Sequence, residues 1–72
     1  MIALGKDFWK TENGKVYREW KPGYRIELDP RTETGKAIKE DSKYGKLELC
    51  FDLSGFESEC DLVIFCIKFF IG

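Results

Sequence analysis

The chain has 72 residues, 43% of them hydrophobic, 15% aromatic and 35% charged, with a formal net charge of −1. That composition is too apolar for wholesale disorder, and the length fits a single domain, residues 1–72, with no room for a separate catalytic one. No histidine occurs anywhere, so the usual general base, the imidazole metal ligand and every Ser–His or Cys–His nucleophile are missing together.

Charge is distributed unevenly. Residues 1–46 hold eleven Lys/Arg against eight Asp/Glu, whereas residues 47–72 hold Lys68 against five acids. Such a dipolar surface can steer a partner, although no run of like charge concentrates it.

At the N-terminus the apolar stretch is too short for a signal peptide. Residues 62–71 are about half of a membrane span and contain Lys68. The three cysteines, Cys50, Cys60 and Cys66, form no Cys-x-x-Cys pair, which favours reduced thiols over a disulfide framework. A cytoplasmic protein with no membrane partner is expected.

The first predicted element is a hairpin. Residues 7–12 and 15–21 flank Asn13-Gly14, the dipeptide that best tolerates the positive φ angles of a two-residue type I′ turn. In that register Glu12 faces Lys15, Lys10 faces Tyr17 and Trp9 faces Arg18, which gives an ion pair and two candidate cation–π contacts.

Pro22-Gly23 breaks the chain before residues 24–29, where Tyr24, Ile26 and Leu28 alternate with Arg25, Glu27 and Asp29. Residues 30–44 are polar and broken by Gly35, so a loop with one short helical turn is expected between strands three and four. Residues 46–53 alternate again, Leu47, Leu49, Phe51 and Leu53 inward against Glu48, Cys50 and Asp52 outward.

Residues 62–71 are apolar on one alternating face and nearly so on the other, where Lys68 interrupts, and predict a fifth strand that needs cover on each side. The expected fold is therefore mainly β: a small antiparallel sheet or open barrel of about five strands. A second copy of the chain, docked on the strand at 62–71, is a candidate for the missing cover.

Chemistry-bearing patterns are few. Cysteines ten and six residues apart could hold zinc only with a carboxylate, and they lack the chelating knuckle; small hydrophobes account better for Cys50 and Cys66 as neighbours on strands, with Cys60 in a loop. Glu57, Glu59 and Asp61 read as a solvated acidic loop. Gly35-Lys36 lacks the first glycine and the hydroxyl residue of a phosphate-binding loop. No cofactor or metal and no catalytic residue is expected.

One constellation stands out. Trp9, Lys10, Tyr17, Arg18, Trp20, Lys21, Tyr24 and Arg25 interleave rings with cations over three consecutive strands. Trp, Tyr and Arg are the types most enriched where a few side chains carry a protein interface. A partner-binding surface of Trp9, Lys10, Tyr17, Arg18, Trp20, Tyr24 and Arg25 follows. The expected function is a non-catalytic protein-interaction module, an inhibitor or adaptor of the kind common in phages and mobile elements.

The same residues suit a small OB- or SH3-like barrel that binds single-stranded nucleic acid, with bases stacked on rings and phosphates on Lys and Arg. Glu12, Glu19 and Glu27 within the patch oppose that use. A purely structural role is the third option, with Trp9, Val16 and Trp20 forming the hairpin core and Arg18 lying over an indole.

Overall fold

A computed structural model describes residues 4–5 and 7–72. Among these, five strands run in chain order as an antiparallel meander: β1 (Lys10–Glu12), β2 (Lys15–Lys21), β3 (Tyr24–Asp29), β4 (Thr34–Asp41) and β5 (Gly45–Asp52). A single 3₁₀ turn, Leu53–Gly55, leads to the helix α1 (Glu59–Ile71). The sheet is open, with β1 and β5 at its two edges, so the barrel alternative does not apply.

Turn chemistry sets the register of each hairpin. Asn13 and Gly14 take φ of 53° and 79°, as the type I′ loop requires, and pair Glu12 with Lys15 and Lys10 with Tyr17. At the other end of the sheet, one Asp41 carboxylate oxygen accepts the N–H groups of Lys43 and Tyr44 at 2.7 and 3.0 Å. Gly45 closes that loop with φ 83°, a conformation in which a Cβ is strained.

Two expectations about the second half of the chain are overturned. The first is the helical turn between strands three and four, where residues 34–41 instead form β4. This strand reads as polar because its covered face carries only Gly35, Ala37 and Lys39. Space dictates that choice: a Cβ on Gly35 would lie 2.6 Å from the Phe51 ring and 2.8 Å from Leu28 Cδ2.

The second is the fifth strand. Residues 62–71 lie within α1, and Leu62, Cys66 and Phe70, four apart, make its buried stripe. The start is capped, with Ser58 Oγ accepting the N–H of Asp61 and the acids Glu59 and Asp61 in the first turn. The supposed acidic loop thus belongs largely to a helix N-terminus. Lys39 reaches the opposite end and donates to the Phe69 carbonyl at 2.9 Å, where a cation complements the helix dipole.

Packing explains why the helix forms. Trp9, Ile26, Leu28, Ala37, Leu53, Leu62, Cys66 and Phe70 make the buried core, and each fully buried large side chain contributes roughly 1.5–3 kcal/mol. A strand at 62–71 would leave Ile26, Leu28 and Ala37 exposed. Outside the stripe, Phe65 packs on Phe51 and Phe56 at ring-centroid distances of 5.5 and 5.2 Å, while Ile64 and Ile71 stay exposed. Since α1 is a helix, a homodimer through a strand at 62–71 has no basis. Among the described residues no helix is long and apolar enough to cross a membrane.

Candidate functional site

Because α1 covers one side of the sheet, side chains on the strands divide into a covered set and an open set. Cross-strand partners share a face, so Val16 and Arg18 go with Leu28 and Ile26 on the helix side. Tyr17 goes with Glu27, and Glu19 with Arg25, on the other. The aromatic and basic constellation therefore splits in two.

Trp9, Trp20 and Tyr24 belong to the core and its margin. Trp9 is 8% exposed, and its indole Nε1 donates to Glu59 Oε1, which also accepts the N–H of Gly5. Trp20 stacks on Phe70 with planes 14° apart, and Tyr24 meets both rings edge-on. These three hold α1 to the sheet, which is the structural role weighed for the hairpin aromatics.

Lys10, Tyr17, Arg18 and Arg25 remain at the surface. The Arg25 guanidinium lies 4.1 Å from the centre of the Tyr17 ring, and its Nε is 2.9 Å from Glu27 Oε2. The Tyr17 ring and the Glu27 carboxylate both lie against this guanidinium and favour one direction for it. Tyr17 thus takes its cation from β3, where the sequence had suggested Lys10.

Arg18 sits at the rim where β1 ends. The chain leaves the ladder before Lys10 so that Trp9 can turn into the core. Phe8 is left 61% exposed. The Arg18 guanidinium lies 5.1 Å from the Phe8 ring centre and 5.8 Å from that of Trp9. A shallow depression lined by Asp7, Phe8, Lys10, Tyr17, Arg18 and Glu19 opens here. Phe8 was not among the residues chosen from sequence; its place next to Trp9, which the hairpin register sets across from Arg18, was the available signal.

The electrostatics of this surface are mixed. Glu12, Glu19 and Glu27 alternate with Lys10, Lys15 and Arg25 on the open face, so no continuous positive track for phosphates exists there. Cysteine chemistry does not converge on it either: Cys66 is buried in α1, and Cys50 and Cys60 are exposed in β5 and α1. Burial pushes the Cys66 thiol up to about 12. Among the described residues, no three His, Cys, Asp or Glu side chains are placed to hold a metal ion.

Comparison with known protein families, curated proteins and solved structures returns no match for this chain.

Proposed function

We propose that the protein is a non-catalytic interaction module, an inhibitor or adaptor that binds a protein partner through the β1–β2 rim and the adjoining open sheet face. The observation that carries this is the pair of ring-held guanidiniums, Arg25 on Tyr17 and Arg18 on Phe8, the latter ring 61% exposed. Exposed aromatic rings with pre-positioned arginines are the side chains on which protein interfaces concentrate their energy. Interleaved Glu12, Glu19 and Glu27 supply specificity at the margin, and they repel a phosphate backbone.

The partner-binding residues on this account are Phe8, Lys10, Tyr17, Arg18 and Arg25. Trp9, Trp20 and Tyr24 support them from below.

The test is capture of partners by the tagged protein after nuclease digestion, wild type against a Tyr17→Ala, Arg25→Ala double variant of unchanged thermal stability. A protein recovered in near-stoichiometric amount by wild type and lost by the variant is the expected result. Recovery that disappears with nuclease, or that falls steeply between low and moderate salt, would transfer the same surface to single-stranded nucleic acid.

A further inference from the structure

We propose that β5 is a homodimerisation edge, on which a second copy of this chain pairs antiparallel to form a continuous ten-stranded sheet. The evidence begins with hydrogen-bond parity. Leu53 N–H donates to the Glu33 carbonyl at 2.8 Å, and Glu33 and Leu53 extend the register that pairs Thr34 with Asp52. Bonded pairs in an antiparallel ladder alternate, so Gly45, Leu47, Leu49 and Phe51 spend their backbone groups on β4. The N–H and C=O groups of Lys46, Glu48, Cys50 and Asp52 therefore point away from the sheet, along an edge eight residues long. The opposite edge, β1, has only three.

Charge complementarity and full use of the outward backbone groups together select the register, since a centre at Leu47 would also oppose Lys46 to Glu48 but would leave Cys50 and Asp52 unpaired. Two-fold pairing centred on Leu49 sets Lys46 against Asp52 of the second copy at both ends, with Glu48 opposite the uncharged Cys50 between them. All four residues are those with free backbone groups, so every outward N–H and C=O finds a partner. Shifting the centre to Glu48 would oppose two glutamates, and shifting it to Cys50 would oppose Glu48 to Asp52 twice; like charges directly opposite destabilise a sheet.

The helix side of the edge supports the same axis. An open apolar groove between α1 and β5 is lined by Leu49, Asp61, Ile64, Phe65, Lys68 and Phe69. Ile64 is 46% exposed there. A two-fold axis perpendicular to the sheet at Leu49 keeps both helices on one side and runs them antiparallel. It directs Asp61 of each copy toward Lys68 of the other, with Leu49 and Ile64 from both copies in the trench between. The Phe8, Tyr17, Arg18 and Arg25 surface stays free at the two far ends of such a dimer, which would therefore be bivalent.

The experiment is sedimentation equilibrium of wild type, Lys46→Glu, and Lys46→Glu with Asp52→Lys. Wild type is expected to dimerise, Lys46→Glu to raise the dissociation constant about tenfold by opposing two carboxylates at each end, and the double swap to restore it. Folding is checked by thermal unfolding of each variant at a concentration where all are monomers. In a Cys50→Ser, Cys60→Ser background, Leu49→Cys should form an interchain disulfide on mild oxidation and Leu47→Cys should not. A wild-type mass that stays monomeric at high micromolar concentration, or a dimer indifferent to both charge variants, overturns the assignment.

Discussion

Gly35 is the position where the fold has least tolerance. Its missing Cβ makes room for the Phe51 ring and Leu28, and Phe51 is itself fixed edge-on against Phe56. Gly35→Ala should lower stability by about 1–3 kcal/mol, read as a fall in the denaturation midpoint. The thiols offer a second test at the same scale. Cys66 is buried, with its pKa pushed to about 12, while Cys50 and Cys60 are exposed, so a thiol reagent at neutral pH should modify two groups quickly and the third only on unfolding. Because the folded pKa lies above the ordinary 9.0, the neutral Cys66 contributes stability that is complete below pH 9 and declines as pH rises toward 12. Asp41 has the opposite sign. The N–H groups of Tyr44 and Lys43 hold its carboxyl below the usual 3.8, so its contribution to the β4–β5 turn is present at neutral pH and lost on acidification. The amide shifts of Lys43 and Tyr44 should titrate together with a midpoint below that value.

Among the elements, α1 decides the architecture, and it is also the element that alternation misread. A segment of ten residues that is apolar except at Lys68 satisfies both a period of two and a period of 3.6, so residues 62–71 could be assigned either way by pattern alone. The distinguishing signals lay at the start: Ser58 three residues before Asp61 is a helix N-cap pattern, and Leu62, Cys66 and Phe70 repeat every four. β4 was illegible for the converse reason, since a strand beneath a close-packed helix carries Gly35 and Ala37 where a long apolar side chain would mark it. By contrast, the first hairpin, β3 and β5 were legible because their turns and their two faces differ in chemistry. Glu59 ties the N-terminal segment to α1 through Gly5 and the Trp9 indole. Glu59→Ala leaves that buried indole N–H without an acceptor. It should cost about 1–3 kcal/mol and shift Trp9 emission to the red, whereas Glu59→Gln keeps an acceptor and should retain most of the stability.

For the molecule as a whole, the consequence of a single C-terminal helix is asymmetry. One face of the sheet is committed to the core, and the other, with its β1–β2 rim, stays open. The ring-and-cation pattern in the sequence marked both sides at once, because residues alternating along a strand belong to opposite faces. Only the placement of α1 separates Trp9, Trp20 and Tyr24, which build the core, from Tyr17 and Arg25 on the open face and from Arg18, which lies on the helix side at the rim beside Phe8. The central claim is that this outward set binds a protein. Its most direct test is the affinity of the captured partner for wild type and for Phe8→Ala, Tyr17→Ala, Arg18→Ala and Arg25→Ala singly, with Ile38→Ser, farther along the open face, as a control. At least two of the four should weaken binding about tenfold or more while the control does not; affinities that all stay within about twofold of wild type would contradict the claim.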